Sequence, residues 1–214
     1  MHSLYQAEYM FYKDKLALLQ DTQEMFLASV GELHQNYISK GLREPIEHCK
    51  ARIKCARSAK EKLKRKGLPI TLDAALCQIY DVLGIRVVCT FINDVYLMRN
   101  WVANLPGISI VKEKDYIKSP KPNGYRSYHM IVEVTMQNET VFAEIQIRTL
   151  AMDCWASLEH QLKYKQEVRY QEMVVDELKR CADELASTDM NLQAIRELIK
   201  LDIGKPDNFF GSKG

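Results

Sequence analysis

Phe142-Ala143-Glu144-Ile145-Gln146-Ile147-Arg148 alternates apolar and polar side chains without a break. A strand turns successive side chains to opposite faces. Val141, Ala143, Ile145 and Ile147 therefore form a core face, while Glu144, Gln146 and Arg148 share the other. An acid, an amide and a cation then lie within about 14 Å of strand. Residues 127–135 repeat the pattern, with Ser127, His129, Ile131 and Glu133 on one face and Tyr128, Met130, Val132 and Val134 on the other. Gln137-Asn138-Glu139 links the two runs as a hairpin. That pairing puts Ser127 and His129 on the surface that holds Glu144 and Gln146. A single strand of this kind reads as a solvated sheet face; a histidine, an acid and an amide together read as the floor of a polar binding site.

Working outward, residues 85–92 are rich in β-branched side chains and predict another strand, and residues 108–112 a further one. Asn93 is expected to cap a helix running to about Asn104. Residues 4–38 carry Tyr5, Tyr9, Tyr12, Leu16, Leu19, Phe26, Val30, Leu33 and Tyr37 at steps of three and four, which predicts one long helix. A second helix is expected over residues 46–66, stopped by Gly67-Leu68-Pro69, and a short one capped by Thr71 and reaching Asp81. Residues 114–124 read as a basic loop. Helical periodicity returns over 150–164 and again along Val174, Leu178, Cys181, Leu185, Leu192, Ile195 and Ile199. The fold class is α+β, a mixed central β-sheet of about five strands flanked by helices. The expected division is an N-terminal helix (1–40), a central domain (41–165), a C-terminal helix serving oligomerisation (166–203) and a flexible tail (204–214).

The chain has 214 residues, of which 47% are hydrophobic and 27% charged, so it can bury a sizeable core without metal or disulfides. No run approaches the roughly 20 apolar residues that span a bilayer, and the N-terminus lacks the basic start and apolar block of a signal peptide. The six cysteines form no CxxC pair. They read as reduced core thiols of a cytoplasmic protein and argue against zinc. The net charge of +2 hides an uneven distribution. Between Lys50 and Lys66 nine Lys or Arg face the single Glu61, a local net of +8, which leaves −6 for the rest. Such an island suits a phosphate-bearing partner, whether nucleotide, nucleic acid or lipid.

Within the island, Lys54, Ser58, Lys62 and Arg65 step by four, four and three, which on a helix is one face. Such a stripe is either solvated surface or a cradle for a triphosphate. Asp81, just ahead of a strand, is either a turn residue or, with Glu144, an oxygen ligand for Mg²⁺, which needs only one or two carboxylates beside substrate phosphates. The loop from Lys114 to His129 interleaves basic residues with tyrosines, as base stacking with phosphate contact requires, and Asn123-Gly124 is a sharp turn that would present Tyr125 outward. A non-catalytic nucleic-acid-binding regulator would use the same basic helix and tyrosine-rich loop. It would have no need of two acids beside its cations. A different nucleotidyltransferase on a related sheet is a further alternative.

Three strings carry a resemblance: Asp81-Val82-Leu83-Gly84-Ile85-Arg86, Lys121-Pro122-Asn123-Gly124-Tyr125-Arg126-Ser127-Tyr128-His129 and Glu144-Ile145-Gln146-Ile147-Arg148-Thr149. Together they resemble the RelA/SpoT-type synthetases, and the continuation Leu150 to Ala156 with Glu159-His160 is similar to the small alarmone synthetases of the RelP/RelQ type. The resemblance implies a nucleotidyltransferase-like synthetase domain with long terminal helices. The implied activity transfers pyrophosphate from ATP to the 3′-OH of GDP or GTP, giving ppGpp or pppGpp and AMP in the stringent response. It implies Asp81 and Glu144 as catalytic Mg²⁺ acids, with Glu144 also orienting or deprotonating the 3′-OH. It implies Arg52 and Arg86 against adenine, and Lys54, Ser58, Lys62 and Arg65 on ATP phosphates. For the acceptor it implies stacking by Tyr125 and contacts from Lys114, Lys121, His129 and Gln146. Asp153 stands where many RelQ-type relatives carry Asn; it could accept from guanine N1–H and N2–H₂ but would repel phosphate. On a helix over 46–66, Arg52 lies about 160° from Lys54, so it would have to reach the same ATP from another side. Alarmone hydrolysis is not expected, and a homotetramer formed through the terminal helices is.

Overall fold

The computed structural model describes residues 2–136, 138–164 and 171–203. In chain order the elements are α1 (His2–Tyr12), α2 (Lys15–Ser39), β1 (Ile46–Ile53), α3 (Ala56–Arg65), α4 (Leu72–Gln78), β2 (Leu83–Cys89), α5 (Ile92–Ala103), β3 (Ile108–Asp115), β4 (Tyr128–Met136), β5 (Glu139–Thr149), α6 (Leu150–Tyr164) and α7 (Gln171–Ile203). The five strands form one sheet in the order β1-β2-β5-β4-β3. β2 and β5 run parallel at its centre, and the other pairs are antiparallel. The mixed sheet and flanking helices match the expected class.

The hairpin forms with the expected register. Met130 faces Ile145 and Val132 faces Ala143, all four fully buried. This apolar sheet face packs on Tyr12, Leu19 and Phe26 of the N-terminal helices and on Val95, Met98 and Val102 of α5. At about 25 cal/mol per Å² removed from water, that layer is the main source of stability. The opposite sheet face keeps the polar side chains.

Three expectations change. Residues 46–66 are not one helix. Lys50 and Arg52 are exposed where Ala51 and Ile53 are more covered, so the period is two and the first half is an edge strand paired antiparallel with β2. A short run with small apolar residues carries no decisive periodicity of its own; pairing with β2 selects the strand. The long N-terminal helix breaks at Lys13, whose φ of 53° is left-handed, so α1 turns back against α3. Tyr9 on its stripe is 59% exposed. The cysteines are mostly not core: Cys89 is buried and Cys49 intermediate, while Cys55, Cys77, Cys154 and Cys181 are exposed, all six free. Burial pushes the Cys49 thiol up to about 11.

Smaller shifts occur at element ends. Thr71 caps α4 by accepting from Ala74 N, as expected, but the helix stops at Gln78 and leaves Asp81 in the turn before β2. β2 spans Leu83–Cys89 rather than 85–92. Phe91 rather than Asn93 is the N-cap of α5. β3 continues to Asp115, which puts Lys114 on a strand opposite His129. The 165/166 boundary and the expected tail lie outside the described residues. Among the described residues no helix is long and apolar enough to cross a membrane.

Candidate active site

The polar sheet face carries a cavity of about 250 Å³ lined by Lys50, Arg52, Asp81, Gly84, Arg86, Glu144 and Gln146. Strand register brings these together from three chain segments. Arg52 pairs with Gly84, Gly84 with Glu144, and Arg86 with Gln146. The conflict over Arg52 disappears, because on a strand it projects from the sheet floor while Lys54 leads into α3. Lys62 Nζ approaches Asp81 Oδ2 at 2.6 Å and Lys54 Nζ at 3.1 Å. The other oxygen, Oδ1, is buried and makes no hydrogen bond. A buried carboxylate oxygen without a partner is costly, and a cation is the partner that such an atom lacks.

Burial pushes the Asp81 carboxyl up, but Lys62 and Lys54 outweigh it and hold the group below its ordinary value of 3.8. Glu144 behaves alike. Burial and the Asp81 charge raise it, while hydrogen bonds from His129 and Gln146 prevail and keep it below 4.5. A group depressed in the folded state stabilises that state above its unfolded pKa and loses the contribution as pH falls through the folded one. Unfolding free energy should therefore show no contribution from these two acids changing between neutral pH and about 4.5, and fall on further acidification. Chemical denaturation across pH should give Asp81→Asn a shallower acid limb; a limb identical to wild type would show that the lysine pairing contributes nothing.

Beyond Gln146 the face continues into an aromatic and guanidinium cluster. Arg148, 4% exposed, donates from Nη2 to Gln146 Oε1 at 2.6 Å and to Tyr125 Oη at 2.7 Å, and from Nη1 to Asp153 Oδ1 at 3.1 Å. Tyr125 Oη lies 2.7 Å from His129 Nε2, and His129 Nδ1 lies 3.2 Å from Glu144 Oε1. A carboxylate only accepts, so Nδ1 carries the proton and Nε2 accepts from the tyrosine. Arg148, Tyr125, His129 and Glu144 thus form one oriented chain. Asp153 also pairs with Arg86 at 3.2 Å. Two guanidiniums therefore offset its charge, and it joins the two halves of the site rather than standing as a lone anion.

Tyr125 is not presented freely outward. Its ring meets Tyr116 and His129 edge-on, and Lys121 Nζ lies 4.8 Å from its centroid. Lys121 and Lys114 also sit 4.7 Å and 5.8 Å from the Tyr116 ring. α7 holds this loop in place. Gly124, at φ +87°, lies so close to the helix that an added Cβ would be 2.6 Å from Ala182 Cβ. Arg126 donates to Ala182 O and Asp183, and Trp155 Nε1 to Leu178 O at 2.8 Å.

Most expected site residues therefore gather on one surface. Asp81, Glu144, Arg52, Arg86 and Gln146 line the cavity and Lys54 and Lys62 pair with its Asp81, while Tyr125, His129, Asp153, Lys114 and Lys121 belong to the cluster beyond Gln146. Ser58 accepts from the Cys55 thiol at 3.2 Å, and Arg65 is exposed in the last turn of α3, outside the cavity lining. Sequence reading placed Arg148 on the polar strand face without giving it a role in the site, and it did not single out Tyr116. Arg148 shares the strand face of Glu144 and Gln146, and that period was the available signal; nothing local marked Tyr116.

A family model described as the region found in RelA/SpoT proteins matches residues 51–169. The chain is 45% identical over 157 residues to GTP pyrophosphokinase YwaC of Bacillus subtilis, covering 72% of this chain and 75% of that protein. It is 35% identical over 156 residues to GTP pyrophosphokinase YjbM of the same organism, covering 71% and 72%. The structure superposes on that of the small alarmone synthetase 1 from Bacillus subtilis bound to its product pppGpp with a TM-score of 0.78, at 31% identity over 86% of this chain and 96% of that one.

Proposed function

Because the chain belongs to the family that carries the region found in RelA/SpoT proteins, we propose that it is a small alarmone synthetase. It transfers the β,γ-pyrophosphoryl group of ATP to the ribose 3′-OH of GDP or GTP, giving ppGpp or pppGpp and AMP. The observation that carries this reading is the shared cavity of Asp81 and Glu144, walled by Arg52 and Arg86, with a buried Asp81 oxygen lacking a partner. A surface built only for nucleic-acid phosphate would gain nothing from two ionised acids among its cations.

Asp81 and Glu144 would hold Mg²⁺, an ion that needs only one or two carboxylates beside substrate phosphates. When bound, the ion neutralises phosphoryl charge as the β-phosphorus is attacked. The chain's own residues do the remaining work. Lys54 and Lys62 face the Asp81 side, where ATP phosphates would lie, and Arg52 and Arg86 rise from adjacent strands to clasp adenine. The 3′-oxygen forms a bond to the β-phosphorus as the bond from that phosphorus to the α,β-bridging oxygen breaks, and AMP leaves. Glu144, ionised at neutral pH, accepts the hydrogen bond of the 3′-OH, orients it and takes up its proton as the bond to phosphorus forms. A carboxylate held this low is a weaker proton acceptor than one poised near neutrality, so orientation is its larger part.

Tyr125 would offer its ring to guanine, Lys114, Lys121 and His129 would meet acceptor phosphates, and Gln146 and Asp153 would contact the acceptor nucleotide. Tyr125→Ala should raise the KM for the guanine nucleotide about 5- to 150-fold, the equivalent of roughly 1–3 kcal/mol for one stacked base. The KM for ATP should move little, and an unchanged acceptor KM would remove Tyr125 from that role.

The exposed Leu192, Ile195, Ile199 and neighbouring Leu42 and Leu97 border an apolar groove of about 670 Å³ between α7 and the end of α2. That surface supports self-association through the helices, read as a homotetramer, and the free cysteines support a reducing, cytoplasmic setting. The direct test supplies β-labelled ATP with Mg²⁺ and GDP, GTP or GMP and resolves the products. Label arriving on a guanine nucleotide with release of AMP establishes the reaction. Label on another acceptor, or none transferred, overturns it.

A further inference from the structure

Residues 51–56 run from the end of β1 into the start of α3 and carry Arg52, Lys54 and the first residue of the helix that bears Lys62. The family match begins at residue 51, yet three side chains from before that point grip this segment by its backbone. Tyr12, fully buried, donates from Oη to Lys54 O at 2.6 Å. Gln23 donates from Nε2 to Ala51 O at 3.0 Å. Glu8 Oε1 accepts from Ala56 N at 3.3 Å, one of the amides left open at the start of α3, where Cys55 supplies no side-chain cap. The Phe11 ring lies 5.0 Å from Lys60 Nζ on the same helix.

Lys54 is held from the other side as well. Its N–H donates to Val82 O at 2.7 Å, one residue past Asp81, and its Nζ lies 3.1 Å from Asp81 Oδ2. The Lys54 backbone is thus bonded on one side to the segment that positions Asp81 and on the other to α1. The left-handed turn at Lys13 directs α1 onto α3; a continuous helix would carry Tyr12 away from Lys54.

We propose that α1 and the first half of α2 are a positioning device for the ATP half of the site, with Tyr12 setting the Lys54 backbone and so the approach of its ammonium to Asp81 and the ATP phosphates. This rests on the cavity being the ATP site. Tyr12 is a positioning residue, since it touches neither the cavity lining nor the reacting atoms. Its role is specific to one substrate, and that specificity makes it testable.

Binding of a non-hydrolysable ATP analogue and of GDP is measured by calorimetry in the wild-type chain, Tyr12→Phe and Gln23→Met, alongside turnover and thermal midpoint. Each variant should bind the ATP analogue roughly 3- to 10-fold more weakly, the usual net effect of one lost hydrogen bond, with GDP affinity unchanged. A merely structural tyrosine would lower the midpoint and the active fraction while leaving both affinities of the folded protein as they were. Equal ATP affinity in wild type and both variants overturns the proposal. Gln23→Met decides the matter if Tyr12→Phe does not fold. A wild-type chain that binds no ATP would instead overturn the reading of the cavity, and one that binds but transfers nothing would overturn the reaction while leaving the positioning measurable.

Discussion

Glu144→Gln lowers turnover about 10²- to 10⁴-fold and leaves most of the ATP affinity in place. The substitution keeps the shape of the side chain. Its amide oxygen can still accept from His129 Nδ1, but the amide nitrogen cannot accept from Gln146, which now reaches Glu144 Oε2 at 3.2 Å. The charge is lost, and with it the acceptor for the 3′-OH and one oxygen for a divalent ion. ATP affinity persists because Arg52, Arg86, Lys54 and Lys62 belong to other elements. Steady-state rates at saturating nucleotides, with calorimetric ATP binding, check both halves of the prediction. Wild-type turnover would exclude Glu144 from the chemistry.

Gly124→Ala should be the most damaging change outside the cavity. At φ +87° any side chain is strained, and the new Cβ would stand 2.6 Å from Ala182 Cβ and 3.3 Å from Lys179 Cα. Left-handed strain and overpacking each cost about 1–3 kcal/mol. α7 is 33 residues long and cannot bend away at one point cheaply, so the loop carrying Lys121 and Tyr125 must lift. Chemical denaturation should show lost stability, and the acceptor KM should rise more than the KM for ATP. Adding Ala182→Gly should relieve the clash with Ala182 Cβ and leave the φ strain and the tight approach to Lys179. A stable Gly124→Ala variant with wild-type acceptor KM would show that the loop does not depend on its seat against α7.

The parts of the fold that were legible were those written in local periodicity. The β4–β5 hairpin follows from alternation, the helices at both ends from steps of three and four, and Thr71 from its capping chemistry. β1 was not legible, because Cys49, Ala51 and Ile53 are small or few and Lys50 and Arg52 between them suit a helix equally. Only β2, paired along its length, turns that stretch into a strand. The break at Lys13 was equally hidden, since one left-handed residue leaves the apolar stripe almost in phase.

The site divides in the same way. Residue types and spacing alone named two carboxylates, a cationic run and a tyrosine-bearing Asn-Gly turn, because charge, alternation and turn chemistry are properties of short stretches. Their meeting belongs to the tertiary structure. Asp81 shares a cavity with Glu144 because β2 lies parallel to β5 with Gly84 opposite Glu144, and Arg148 acquires its partners because Tyr125 and Asp153 arrive from a loop and from α6. Pairing between strands some sixty residues apart is selected by the burial of a whole sheet face, an energy that no local window contains.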